Sequence, residues 1–307
     1  MEIIKEIHFD EKMSFELEMH SVLNVLSVLS GIIQILQIEN ELDDVLTESL
    51  NLIFTQAEII KNSQIENFDI KSIDKIRPVI EKELIQLENK YPELITNTTY
   101  PEVKKSFNEV LDILNIRLNE IKARLAKPDD WEIFTIDAFK KDFKQFFHAM
   151  EQNSRGRYRI IYNLAEQEEK DYLVNFEVSS DNKSFVTMPL LFKDVVRDLI
   201  ANARKYTPTG GTILIGIRVN NNHLRFVVDD SGYGIPEDEL EHVVDFGFRG
   251  SNVKDTIRTM GGGFGLTKAY YVTKKLNGRM WIESILNKGT KVTIELPIPK
   301  NVFANAQ

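Results

Sequence analysis

Four short stretches decide how this chain is read: DLIANARKYT at Asp198–Thr207, VVDDSGYGIP at Val227–Pro236, DFGFRGSN at Asp245–Asn252 and GGGFGL at Gly261–Leu266. Any one of them is a weak signal, because glycine clusters are usually turns and an Asn inside a helix is usually just a polar position. In the first stretch, Val195, Val196, Leu199, Ile200 and Ala203 form a helical stripe. Asp198, Asn202 and Lys205 then fall together on the opposite face. A carboxylate, an amide oxygen and an ammonium on one face suit a Mg²⁺ ion and the phosphates it bridges. A solvated helix face has the same pattern. In the second stretch, Asp230 follows the apolar strand Leu224–Val228 and precedes Gly232 and Gly234. Those glycines let a backbone approach a flat ligand, and a carboxylate at a strand end can accept a purine amino group; a plain turn closing the strand is the alternative. Gly261, Gly263 and Gly265 open a helix over Phe264–Leu276, whose free N–H groups and dipole favour phosphate.

Taken together and in this order, the four stretches resemble the N, G1, F and G2 boxes of the ATP-binding domain shared by histidine kinases, Hsp90-type chaperones, gyrase B and MutL. The resemblance spans Trp131–Pro299 and implies a GHKL (Bergerat) α/β sandwich with a mixed sheet. It implies that Asn202 holds Mg²⁺, that Lys205 reaches phosphate and that Asp230 binds the adenine amino group of ATP. Tyr206 would border the base, Gly261, Gly263, Gly265 and Leu266 would flank the triphosphate, and Arg249 would lie in a lid between Pro236 and Gly261. Two departures stand out. Many histidine kinases carry Asn where this chain has Asp198, and an acid there is closer to the Hsp90-like members, whose equivalent carboxylate activates water. The third stretch is also one phenylalanine short.

The 307 residues are enough for two ordinary domains. An apolar content of 42% with 28% charged residues is that of a soluble globular protein. With no cysteine there are no disulfides or thiolate metal sites, which fits a reducing cytoplasm. A net charge of −9 argues against a nucleic-acid partner, since no basic excess is available to replace phosphate counterions. MEIIKEIHFDEK has neither a basic nor a long apolar region of the kind a signal peptide needs. The most apolar run, Val22–Leu36, is broken by Asn24, Ser27, Ser30 and Gln34, so no membrane span is expected.

Helical periodicity runs from Glu11 to Gln37, with Val22, Leu26, Leu29, Ile33 and Leu36 as its apolar stripe. His20, Asn24, Ser27, Gly31 and Gln34 form the polar seam, where a lone histidine is ordinarily a surface residue. HSVLNVLSVLSGIIQIL resembles the phosphoacceptor helix of histidine kinases, matching at His20, Asn24, Leu26, Ser27, Gly31 and Leu36. The resemblance makes His20 the phosphoacceptor, Asn24 the residue that positions water in phosphatase action, and a response-regulator receiver domain the partner. Ser21 stands where the family has an acid that takes the imidazole proton. Glu16, one turn earlier, is a substitute. Val25 replaces the usual Pro, so the helix should lack a proline kink.

A second helix is predicted over Leu42–Lys61, and a hairpin of this size needs a second copy to cover its apolar faces, which predicts a homodimer. Further helices are expected over Lys71–Lys90 and Glu102–Ala126, separated by a breaker at Tyr91–Pro101, and bundle packing is their plainest role. The second bundle helix lies either at Leu42–Lys61 or in these later segments. Lys127–Asp130 is the expected boundary between a helical dimerisation and phosphotransfer region, 1–127, and the ATP-binding domain, 131–300. Within the latter, a helix is read at Asp137–Met150, an insertion across residues 151–170, and strands at Leu173–Val178, Thr212–Val219, Leu224–Asp229, Arg279–Ser284 and Lys291–Leu296. His8, His148, His223 and His242 show no metal-ligand spacing. The expected activity is that of a cytosolic histidine kinase; a GHKL-type ATPase or ATP-driven switch without histidine phosphorylation is the alternative. A phosphotransfer module with a decayed nucleotide site is a third reading, which the intact glycines disfavour.

Overall fold

A computed structural model describes the chain except residues 9, 41, 43, 63–64, 97–98, 127–130, 153, 155, 221, 255–262, 301 and 303–307. It forms two compact units. One comprises His8–Ala126, the other Met1–Ile7 together with Lys127–Gln307. The division falls after Ala126, and the first seven residues join the second unit rather than the helices.

The helical unit contains α1 (Glu11–Glu39), α2 (Thr47–Lys61), α3 (Ile70–Asp74), α4 (Ile76–Lys90), α5 (Glu93–Thr96) and α6 (Thr99–Ala126). Asp10 caps α1, its carboxylate accepting the Met13 N–H at 2.7 Å. The stripe of Val22, Leu26, Leu29, Ile33 and Leu36 is buried as the 3.6-residue period requires. It packs in one core with Ile53 and Ile60 of α2, Ile80 and Leu84 of α4, and Phe107, Leu111 and Leu114 of α6. Both α2 and α6 lie against α1. The α1 face that a two-helix hairpin would leave for a second copy is thus met by α6 of the same chain, which removes the packing argument for a homodimer. Val28 and Ile35 of α1 remain exposed, at 42% and 47%. By length and composition α1 is a helix able to cross a bilayer, contrary to the expectation for this stretch, although a core helix of this kind passes the same test.

The second unit contains β1 (Trp131–Thr135), α7 (Ile136–Gln152), β2 (Ile160–Ile161), β3 (Tyr172–Ser180), β4 (Phe185–Pro189), α8 (Leu190–Tyr206), β5 (Thr212–Val219), β6 (His223–Asp230), α9 (Gly265–Lys275), β7 (Arg279–Ile285) and β8 (Gly289–Pro297). Six strands form a mixed sheet in the order β2-β3-β5-β6-β8-β7, while β1 and β4 make a separate ribbon. Strands β2, β3 and β5 run parallel; the rest pair antiparallel. Alternation sends Ile213, Ile215 and Ile217 of β5, Leu224, Phe226 and Val228 of β6, and Ile294 and Leu296 of β8 into one core. Phe139, Phe143 and Phe147 of α7, Val195, Val196 and Leu199 of α8, and Ala269, Tyr270 and Val272 of α9 complete it. Burying side chains of this size is worth roughly 1.5–3 kcal/mol each, so this layer is what holds α8 and α9 in register over the sheet. The 151–170 insertion is part of this architecture: β2 extends one edge of the sheet, and Arg159 Nη2 donates to Asp171 Oδ2 at 2.6 Å behind it.

The opposite edge is covered by the chain's first residues. Ile3 N–H donates to the Met280 carbonyl and Ile282 N–H to that of Met1, both at 2.9 Å, and Glu2 bridges Trp281 in antiparallel sense. Ile3 is 3% exposed. Tyr270 Oη donates to the Lys5 carbonyl at 2.6 Å, and Lys5 Nζ reaches Asp245 Oδ1 at 2.5 Å.

Candidate nucleotide-binding site

Helix α8 carries the first stretch. Its apolar stripe faces the sheet, and Asp194, Asp198 and Asn202 follow one another at intervals of four on the side toward α9. Asn202 meets the opening of α9: a Cβ on Gly265 would lie 2.1 Å from Asn202 Nδ2, so any larger residue there would displace the Asn202 amide. One turn further on, at the C-terminus of the helix, the carbonyl of Tyr206 accepts the Tyr233 N–H at 3.0 Å. A Cβ on Gly232 would come 2.3 Å from that same carbonyl oxygen. Gly232 therefore makes room for the end of α8, and Gly234, whose Cβ would strike the Ile285 carbonyl at 2.1 Å, makes room for the turn after β7. The sequence-based expectation had given both spaces to a ligand.

Asp230 ends β6 in this angle between helix and sheet. Its Oδ1 accepts the Gly232 N–H at 2.9 Å and the Thr290 N–H at 3.3 Å. Burial, which outweighs these hydrogen bonds, pushes its carboxyl up to about 6. Lys205 lies with its Nζ 4.8 Å from the centre of the Tyr206 ring. Burial first, then the charges of Arg249 and Arg204, bring its ammonium down to about 8. The Tyr206 hydroxyl is pushed up by burial, and nearby Arg249 opposes this. Lys205, Tyr206 and Arg249 are therefore neighbours, and the two cations among them, Lys205 and Arg249, raise the positive potential near the C-terminus of α8. That potential and the N-terminus of α9 are what an anionic polyphosphate would meet.

The segment after Pro236 is tied down in its described part. Val243 and Val244 are buried in the core. Thr267 Oγ1 donates to the Asp245 carbonyl at 2.9 Å and Asn252 Nδ2 to that of Gly234 at 2.9 Å. Burial alone would raise the Asp245 carboxyl, but Lys5 and His242 together hold it below its ordinary value. Gly263, with φ +83°, and Leu266 flank Gly265 at the start of α9. Gly261 lies outside the described residues. The catalytic candidates His20 and Asn24 belong to the helical unit, where Asn24 Nδ2 stands 3.2 Å from His20 Nε2.

One group was not anticipated. Lys268 in α9 is 1% exposed and places its Nζ 2.5 Å from Asp194 Oδ2 and 2.7 Å from Asp198 Oδ2. A lysine in GLTKAYYVTKK reads at first as a solvent-facing residue. The available signal was its spacing of three from Gly265 and four to Val272, which sets a charge in the buried stripe. Among the described residues no group of three His, Cys, Asp or Glu side chains is arranged to hold a metal. A divalent ion held here would take Asn202 and ligand phosphates as its partners, a pattern that suits Mg²⁺.

The family model for the histidine kinase-, DNA gyrase B- and HSP90-like ATPase domain matches residues 188–300. The sensor histidine kinase RppB of Synechocystis sp. is 39% identical over 105 residues, which is 34% of this chain and 23% of that protein. The sensor histidine kinase WalK of Bacillus subtilis is 38% identical over 106 residues, 34% of this chain and 17% of that one. Residues 188–300 thus form a domain like those of the histidine kinase-, DNA gyrase B- and HSP90-like ATPases, and over that part the chain is similar to sensor histidine kinases. Another Bacillus subtilis member, the sensor histidine kinase YvrG, is 30% identical over 123 residues, 40% of this chain and 21% of YvrG. The chain thus matches about a fifth of the length of these curated relatives.

Proposed function

We propose that the chain is an ATP-dependent protein-histidine kinase of a two-component system. In this reading it binds Mg·ATP, phosphorylates His20 and passes the phosphoryl group to an aspartate of a response-regulator receiver domain. What supports the reading is the set of approaches between separate parts of the chain: Asn202 against Gly265, the Tyr206 carbonyl and Asp230 around Gly232, and Lys205 beside Tyr206 and Arg249. In the transfer, an imidazole nitrogen of His20 forms a bond to the γ-phosphorus as the bond from phosphorus to the β,γ-bridging oxygen breaks, and ADP leaves with that electron pair. Bound Mg²⁺ would supply charge neutralisation across the β- and γ-phosphates. Lys205 and Arg249 give further cationic support, Asp230 orients the base, and the segment after Pro236 excludes water.

The nucleophile needs a neutral ring nitrogen. Asn24 Nδ2 lies within hydrogen-bonding distance of His20 Nε2, which suits a lone pair there. Ser21 supplies no base: it is 8% exposed and its Oγ has no hydrogen-bond partner among the described residues. Glu16, one turn before His20, is half-buried, and burial raises its carboxyl. That shift makes it a better match to imidazole as a proton acceptor. Incubation with γ-labelled ATP should give acid-labile, base-stable protein phosphate that His20→Gln abolishes. Equal labelling of that variant would end the proposal. A cytoplasmic site and dimerisation through the helical unit belong to the same reading, to be checked by fractionation and by light scattering.

The second reading is an ATPase or ATP-driven switch, favoured by Ser21 and by the carboxylate of Asp198 one helical turn before Asn202. Steady phosphate release that survives His20→Gln and falls in Asp198→Asn would select it.

A further inference from the structure

We propose that Lys268 is a positioning residue that keeps Asp198 from acting as a base toward water, so that bound ATP is held for transfer instead of being hydrolysed. The inference rests on the kinase reading above. Asp194, Asp198 and Asn202 form one row along α8, and α9 faces that row with Gly265 opposite Asn202 and Lys268 opposite the two acids. Asp198 is therefore the carboxylate one turn from the residue that meets the phosphate end of the site. Left alone, an ionised carboxylate so placed is the natural acceptor for a proton from water. It would take that proton as the water oxygen bonds to the γ-phosphorus and the bond to the β,γ-bridging oxygen breaks, releasing ADP and inorganic phosphate.

Lys268 interferes with this in two ways. Its ammonium donates to Asp198 Oδ2 at 2.7 Å, which occupies a lone pair that would otherwise be open to a proton from water. The pair is also anchored. Lys268 and Asp194 are 1% and 3% exposed, so the ammonium has no solvent alternative and Asp194 fixes it in place. Asp198, at 23%, is the wetter partner and the one whose freedom the buried pair restrains. The three groups carry a net charge of −1, where two unpaired acids would carry −2 and repel a polyphosphate.

The test uses the full chain in a His20→Gln background, where phosphotransfer is absent, and reads inorganic phosphate at saturating Mg·ATP. Lys268→Met should raise kcat for phosphate release at least tenfold while KM rises through lost charge balance. Adding Asp198→Asn to Lys268→Met should return kcat to the parental level. Lys268→Arg, which keeps the cation, should leave release at that level, and Lys268→Gln should fall between Arg and Met. A Lys268→Met or Lys268→Gln protein that still binds nucleotide but releases phosphate no faster would overturn the inference. So would a gain that persists without Asp198, or a gain in Lys268→Arg. A purely structural role would shift the melting temperature with no Asp198-dependent change in kcat. The kinase reading fails separately: if the His20 protein carries no acid-labile phosphate yet Lys268→Met still releases Asp198-dependent hydrolysis, the restraint operates in an ATP switch.

Discussion

Asn202 Nδ2 and the α-carbon of Gly265 are packed so closely that a single methyl group does not fit between them; its carbon would sit 2.1 Å from the amide nitrogen. The two residues are far apart in the chain and hold the helix row of acids and amide against the opening of α9. Gly265→Ala therefore separates two effects. Gly265 is the first residue of α9 and does not have a positive φ, so alanine adopts its backbone without strain and α9 itself should be no less stable. Asn202, however, must swing away, and nucleotide affinity should fall at least tenfold, about 1.4 kcal/mol. Calorimetric titration beside a thermal melt checks this, and an unchanged dissociation constant would mean that Asn202 does not contact the ligand.

Asp230 links stability and binding with opposite signs. Its carboxyl is displaced upward, from an ordinary 3.8 to about 6, chiefly by burial. A raised acid binds more protons folded than unfolded between those values, so its contribution is most favourable below about pH 4. That contribution is lost as pH rises toward 6. At pH 7 the ionised group costs on the order of 1–3 kcal/mol. Asp230→Asn should accordingly be the more stable protein at pH 7, by up to that amount, and lose the advantage near pH 4. Its affinity for adenine nucleotides should drop severalfold or more, because the amide cannot reproduce a charge-assisted acceptor. Denaturant melts at pH 4 and pH 7 read the first part, and a variant less stable at pH 7 than the parent would refute it.

Much of the fold around the candidate site was legible because it is written in local pattern. The stripe Val195, Val196, Leu199, Ile200 and Ala203 sets the face of α8, and the alternation of β5 and β6 needs no partner to be recognised. What escaped depends on residues distant in sequence. Gly232 and Gly234 accommodate Tyr206 and Ile285, an approach visible only once the chain is folded. Lys268 is tolerable in its buried position only because Asp194 and Asp198 arrive from another helix. The role of α6 beside α1 was open for the same reason: its apolar spacing is that of any bundle helix, and only packing shows which face it meets. MEIIKEI is too short for a periodicity argument, and its pairing with β7 is a long-range event.

Lys205 should report ligand charge directly. Burial and the neighbouring cations Arg249 and Arg204 bring its ammonium down to about 8 in the free protein. A polyphosphate beside it favours the charged form and moves that value back up. Between about pH 8 and 10, complex formation should then take up a fraction of a proton, and affinity should weaken as pH rises above 8. Titrations in buffers of different ionisation enthalpy measure the uptake. Lys205→Met should bind about tenfold or more weakly, with the uptake gone. Proton uptake that survives this substitution would assign the titration to another group.

Met1–Ile7 acts as an added edge strand whose side chains reach the stem of the segment after Pro236. Main-chain bonds from Ile3 and Ile282 close the edge of β7, and Ile3 is buried, whereas Lys5 and Asp245 are about one-third exposed. The apolar contact should therefore dominate. Ile3→Ala is expected to destabilise the α/β unit by about 2–4 kcal/mol, while Lys5→Ala should cost under about 1 kcal/mol because solvent screens the pair. Deleting residues 2–6 exposes an unpaired strand edge, so the amide of Ile282 should exchange with solvent much faster while that of Ile294 in β8 stays protected. Hydrogen exchange at these two positions, with melts of the point variants, tests the ranking. If Lys5→Ala proves as damaging as Ile3→Ala, the ion pair and not the strand anchors this segment.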